Sequence, residues 1–348
     1  MKTQKDFNSY TLLEQLCKIR NLQSSFTPAE EPITPRAEFV ISTLKDIGKR
    51  VKLDFFDGSR THRTMELDEE KAKAKNSNKK MQSILDIDSF LEFDTEEEVT
   101  EKDLQNAKSE EEINALLDRM NKVRTFDMSL YKEVITEIKG QYLNIEVKFS
   151  AKKKTDNSII YIAHHDVFDN NSDNCNDNSA SVCNLLQFAN ELKGKKLDKN
   201  IYIVFTDCEE FGGRGAKRLA NRINNGDFGV VEYVVNLELS ALGQFIWVEN
   251  TLRESSLVKK LKEVQENNQN TYYSFNVPFN DSVILRKNEI DSICIGTINN
   301  EDVNYLTNTF TKGRGCRTWS VCHQKIDIFE LANEKDMNDF VSFLHSLK

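Results

Sequence analysis

Histidines and acidic residues gather at five points of this sequence. "AHHD" presents His164, His165 and Asp166, and "NDNSASV" presents Asp177. "DCEE" presents Asp207, Cys208, Glu209 and Glu210, "NLEL" presents Glu238, and "CHQKID" presents His323. Imidazole and carboxylate are the ligands zinc accepts in catalytic sites. Each fragment alone has an ordinary explanation. A His-x-Asp is often a surface turn, a Glu-Glu pair a solvated face, an Asn/Asp loop a helix cap, and a buried Glu a salt-bridge partner. Their joint occurrence changes the reading. Two histidines and three carboxylates suit two divalent ions, and a carboxylate shared between two ions sets them about 3.5–4 Å apart.

Such groups must be brought together by the elements that carry them. From about residue 141 the chain alternates β-rich runs with helical ones. "YLNIEVKF", "SIIYIA", "NIYIVFT", "YVVNLEL", "FIWVE" and "SICIGT" are the strands. "SASVCNLLQFANELKG" carries an apolar helical stripe of Val182, Leu185, Leu186, Ala189 and Leu192, with Gly194 as its stop. Alternation of this kind predicts an α/β three-layer sandwich around a mixed, mostly parallel sheet. "SIIYIA" runs into His164-His165-Asp166, "NIYIVFT" into Asp207 to Glu210, and "YVVNLEL" up to Glu238. Ligands in such folds sit at the carboxyl ends of the strands. Upstream, "YTLLEQLCKIRNL" spaces Leu12, Leu13, Leu16, Ile19 and Leu22 as a helix. "AEFVISTLKDIG" does the same with Phe39, Val40, Leu44 and Ile47, with Gly48 as C-cap, and "VKLDFFDG" follows as a short strand.

Residues 59–125 differ. Charge runs such as "KAKAKNSNKK" and "EEEVTEKD" carry few apolar anchors, and a capping box at Ser109–Glu112 precedes Ile113, Leu116, Leu117 and Met120. We read residues 1–348 as a single catalytic domain with 59–125 as a charged surface insertion. The net charge of −9 argues against nucleic-acid binding. No 18-residue apolar run offers a membrane span, and the opening residues lack a hydrophobic signal core, so a cytoplasmic protein is expected. Seven cysteines, an odd number without regular spacing, fit reduced thiols there, including Cys316 and Cys322. Cys208 reads as packing. His62 and His345 lie outside every motif and are expected to face solvent. His165 reads first as structural and second as substrate-facing.

Taken in order, "AHHD", "NDNSASV", "DCEEFGGRGAKRL", "NLEL" and "HQKID" resemble the two-zinc aminopeptidase branch of the zinc exopeptidases, the relatives of bacterial leucyl aminopeptidases and glutaminyl cyclase. The resemblance runs over about residues 145–345 and implies a phosphorylase/hydrolase-like sandwich holding two zinc ions. It makes His164, Asp177, Glu210, Glu238 and His323 metal ligands, with Asp177 the bridge. Asp166 becomes the carboxylate that orients His164, and Glu209 the general base. It also implies a cis peptide between Asp177 and Asn178. The implied activity is hydrolysis of N-terminal residues from peptides with a free amino terminus. Side-chain selection is expected from "TNTFTKGRGCRTW", with Phe310 and Trp319.

Three departures bear on this. Only 13 positions separate His164 from Asp177, a short connection for the family. Glu238 stands where most relatives have Asp, and Asp227 and Glu232 are the nearby acids to consider if it is not the ligand. The 85 positions from Glu238 to His323 leave no room for the dimerisation lid of the related dinuclear zinc carboxypeptidases. The remaining alternatives are a glutaminyl cyclase-like acyltransferase and a non-catalytic binding protein that has kept the fold.

Overall fold

The computed structural model describes residues 7–19, 32–67, 84–86, 131–168, 172–251, 254–267, 270–274, 277–307 and 316–348. The chain divides into two compact units, one of residues 1–58 with 139–348 and one of residues 59–138. The expected helix after Ser109 and the pocket residue Phe310 lie outside the described residues, as do Leu22 and most of 59–125.

Helix α1 (Ser9–Cys17) starts at Asn8, whose Oδ1 accepts from the amides of Tyr10 and Thr11. Helix α2 (Pro35–Asp46) starts at Thr34, with proline at its first position. Leu12, Leu13 and Leu16 of α1 are buried, as are Val40 and Leu44 of α2 and Ile47 after it, while Phe39 and Ile19 are half-buried. The cap at Gly48 forms as expected: its N–H donates to Lys45 O at 2.8 Å, and that of Lys49 to Leu44 O at 3.2 Å.

The short strand expected at "VKLDFFDG" is instead β1 (Lys52–Leu67), of 16 residues. A main-chain ladder extends it where apolar anchors fail, because strand hydrogen bonds belong to the backbone. In the second unit β1 pairs antiparallel with β2 (Ile84–Asp86), placing Thr64 opposite Asp86. "YLNIEVKF" is the closing stretch of a longer strand, β3 (Tyr131–Phe149).

The larger unit holds β4 (Asn157–His164), β5 (Asn200–Thr206), β6 (Val230–Leu237), β7 (Phe245–Glu249), β8 (Thr271–Ser274) and β9 (Ser292–Ile298). Its sheet runs β1-β3-β5-β4-β6-β9-β7-β8. The centre is parallel: β4 pairs with β5 and β6, and β6 with β9. β3 is antiparallel to β5, and β7 to β9. The four residues of β8 are too few for the sequence pattern to reveal.

Further helices are α3 (Ala180–Leu192), α4 (Arg214–Asn224), α5 (Ser256–Asn267), α6 (Asp281–Lys287), α7 (Val303–Thr307), α8 (Arg317–Ser320) and α9 (Glu334–Ser346). Successive residues of β4 point to opposite faces. Ile159, Tyr161 and Ala163 enter a core with α1, α2, α3, α5 and α9. Ile160 and Ile162 enter another with Leu219 and Ala220 of α4 and Leu285 of α6. Helices thus cover both faces, and the unit is the expected α/β sandwich. Packing of α9 on α3 corrects one expectation. His345 does not face solvent; its Nε2 lies 2.6 Å from Glu191 Oε2 and its ring packs on Phe188. All seven cysteines are free thiols. Among the described residues no helix is long and apolar enough to cross a membrane.

Candidate metal centre

Strand register assembles the site. His164 ends β4 opposite Thr206 of β5, and Ile162 lies opposite Asn236 of β6. The residues that follow β5 and β6 therefore emerge beside His164. Its Nε2 lies 3.2 Å from Asp177 Oδ1 and 3.3 Å from Glu238 Oε2. Its Nδ1 faces Asp166, 3.3 Å from Oδ1 and 3.2 Å from the main-chain carbonyl. The two Asp166 oxygens also accept from the amides of Glu209 and Glu210, at 3.1 and 3.2 Å. One carboxylate thus ties the end of β4 to the turn after β5.

A second cluster shares Asp177. Its Oδ2 lies 3.3 Å from His323 Nε2, which lies 2.9 Å from Glu210 Oε2. The His323 ring stacks on Phe168, with centroids 4.1 Å apart and planes 9° apart. Ligand atoms of His164, Asp177 and Glu238 lie within 4.8 Å of one another, and so do those of Asp177, Glu210 and His323.

The turn bearing Asp177 is held by its neighbours. Asn178 donates to Leu237 O at 2.9 Å and accepts from the Leu239 amide at 3.2 Å. Asn176 donates to Thr318 O at 2.8 Å and accepts from the Ala241 amide at 3.1 Å. A carboxamide offers both a donor and an acceptor, which suits it to bridging two loop segments. The Asp177–Asn178 peptide is cis, as the resemblance implied.

Two glycines allow close approach. A Cβ on Gly296 of β9 would lie 1.9 Å from the Glu238 carbonyl oxygen, and one on Gly215 would lie 2.4 Å from that of Asp207. The main chain of Glu238 is seated by its N–H on Ile295 O at 2.9 Å. Asp227 and Glu232 stand at the other end of β6. Asp227 pairs with Arg222 at 2.9 Å and Glu232 with Lys199 at 2.5 Å.

Burial sets the electrostatics. It pushes Glu238 up to about 7, with Asp177 adding to the rise, and Glu210 up to about 7, again with Asp177. Burial, then the charges of Glu238 and Glu210, raises Glu209 well above the carboxylate range. Burial would lower His164, but Glu238, Asp166 and Asp177 raise it well above the usual imidazole value. His323 shows the same contest, with Glu210 and Asp177 prevailing and lifting it to about 11. Desolvated carboxylates are crowded here where cations would relieve them. Oε1 of Glu209 and Oε1 of Glu210 are buried without a hydrogen-bond partner. Orphaned buried acceptors are uncommon, and an ion accounts for them. The orphaned oxygens and the nitrogen–oxygen donor set fit divalent metal ions of the zinc type.

The seven expected site residues, Asp166 and Glu209 with His164, Asp177, Glu210, Glu238 and His323, come together. His165 is buried, with Nε2 2.9 Å from Leu143 O, so it supports β3 and does not face a substrate. Asp207 accepts from the Leu143 amide at 2.8 Å. Trp319 packs edge-on against Trp247. Sequence reasoning missed Asp281. It is fully buried, accepts from Thr206 Oγ1 at 2.6 Å, and its charge acts on Glu209 and Glu238. In the sequence it looks like nothing more than a first-turn helix acid after the capping Asn280.

A three-layer α/β sandwich with two His–carboxylate clusters sharing one aspartate has the frame and donor set of a zinc exopeptidase. The model of peptidase family M28 matches residues 144–316, which takes in every expected site residue except His323. The chain belongs to peptidase family M28. Its fold is similar to that of BSAP, a zinc aminopeptidase from Bacillus subtilis, at 14% identity and a TM-score of 0.63, over 98% of this chain and 93% of that one. An aminopeptidase from Aneurinibacillus sp. strain AM-1 is similar at 11% identity and a TM-score of 0.64, over 99% and 94%. A glutaminyl cyclase from Porphyromonas gingivalis is similar at 14% identity and a TM-score of 0.57, over 99% and 97%. At these identities the likeness is one of fold. No curated protein matches the sequence.

Proposed function

We propose that the chain is a two-zinc metallopeptidase that removes N-terminal residues from peptides, with Glu209 as general base. The observation that carries this reading is Asp177. One of its oxygens faces His164, beside Glu238, and the other faces His323, beside Glu210. A carboxylate set between two clusters is the arrangement a pair of ions requires. His164, Asp177 and Glu238 would hold one ion, and Asp177, Glu210 and His323 the other. Bound zinc would supply Lewis acidity toward the scissile carbonyl and a water of lowered pKa.

The chain's own residues do the rest. Asp166 engages Nδ1 of His164 and so keeps Nε2 turned toward the first cluster. Glu209 belongs to neither cluster, and its Oε1 is free of hydrogen bonds. It accepts a proton from water at that oxygen and returns it to the leaving amine. Its raised pKa is the direction a base working near neutrality needs. Glu238 is one methylene longer than the family's usual Asp, yet its Oε2 still comes within 3.3 Å of His164 Nε2. The substrate is a peptide with a free amino terminus, met in the cytoplasm, and residues 59–125 are an insertion in one catalytic domain.

Cyclase-like acyl transfer is the second reading, favoured by the glutaminyl cyclases among the structural neighbours. The complete second cluster weighs against it. The test incubates zinc- or cobalt-supplemented protein with a panel of aminoacyl anilides and, separately, with N-terminal glutaminyl peptides. Anilide release supports the aminopeptidase. Cyclisation without anilide release overturns it.

A further inference from the structure

The segment carrying Asp177 is gripped from one residue that the proposed chemistry does not use. Asp327 follows His323 by four positions and is 1% exposed. Its Oδ1 accepts from the Asn176 amide at 2.7 Å, and its Oδ2 from the Asp177 amide at 3.1 Å. Its main-chain carbonyl accepts from the amides of Asp173 at 3.1 Å and Cys175 at 3.5 Å. Four N–H groups between residues 173 and 177 thus converge on one residue. Such runs of amides form anion-binding concavities, and here the anion is built into the chain. Asp327 is in turn placed by its own N–H, which donates to Gln324 O at 2.9 Å. That turn begins beside His323, whose Nε2 reaches the second oxygen of Asp177.

We propose that Asp327 is a positioning residue that sets the direction of the Asp177 carboxylate, so that its two oxygens address the two clusters at once. The proposal rests on the two-metal reading of the site. The geometry gives a reason for a charged acceptor. Both oxygens receive an N–H, and an amide side chain could serve only one of them while turning an NH₂ group against the other. It also gives a reason for the spacing from His323. A single turn sets the second-cluster histidine and the clamp on the bridging acid in one register.

The test compares the full-length wild type with Asp327→Asn and Asp327→Glu. Thermal unfolding identifies the variants that fold, and the second variant serves where the first does not. Metal-free protein is titrated with cobalt(II), followed by visible absorption and by the magnetic coupling that two ions on one carboxylate display. We expect wild type to bind two coupled cobalt ions. A folded Asp327 variant should bind them roughly 10–100-fold more weakly, the usual effect of altering a group that supports a ligand, with the coupling diminished. A merely structural residue would lower the unfolding temperature and leave spectrum and affinity alone, and that result overturns the proposal. Wild-type protein that takes up no cobalt overturns the metal reading, and the role of Asp327 with it. Two cobalt ions in wild type with an unchanged variant overturn the role of Asp327 alone.

Discussion

Glu209 and Glu210 are neighbours in sequence whose side chains do different things. Glu210 Oε2 meets His323, whereas Glu209 lies outside both clusters. Glu209→Gln keeps size and shape but cannot accept a proton. It should lose roughly 10²–10⁴-fold in turnover, the usual contribution of a positioned acid–base group, and keep its metal. Glu210→Gln should lose turnover together with metal from the second cluster, because a neutral amide is a poor zinc ligand. Metal stoichiometry beside turnover for both variants checks the pair of roles. Glu238 makes a separate prediction. Glu238→Asp should retain part of the metal and activity and Glu238→Ala little of either, as read by metal analysis. Normal metal content in Glu238→Ala would remove it from the ligand set, with no substitute in Asp227 or Glu232, which pair at the other end of β6.

At the scale of elements, the site depends on how closely β9 passes the end of β6. Gly296 allows that approach. Gly296→Ala should push the Glu238 carbonyl away and lower stability by about 1–3 kcal/mol, as overpacking does. It should also weaken metal binding at the first cluster. Denaturant unfolding and metal titration would show both effects, and a variant with wild-type values in each would contradict the close contact. Elements also mark what the sequence made legible. The central strands were readable because burial on both faces writes continuous apolar runs, "NIYIVFT" being the clearest. His164, Glu209, Glu210 and Glu238 were readable because they punctuate such runs. Asp327, Asn176 and Asn178 were not, because their partners lie on other segments and any polar loop contains such residues. β8 and the full length of β1 escaped for a related reason. Their ladders are made by backbone, which leaves little trace in side-chain pattern.

At the scale of the molecule, every site residue lies in the unit of residues 1–58 and 139–348. The chemistry should therefore survive loss of the other unit. Replacing residues 59–138 by a short flexible linker should leave metal content and anilide turnover within a few-fold of wild type. Loss of metal binding in that shortened, folded chain would make the smaller unit part of the catalytic machinery. The most direct test of the account concerns the residue that joins the two clusters. Metal content per chain should be measured in wild type and in Asp177→Ala, with anilide turnover alongside. Up to two zinc-like ions in wild type, and the loss of both with activity in Asp177→Ala, is the expected result. Wild-type metal content in Asp177→Ala would contradict it.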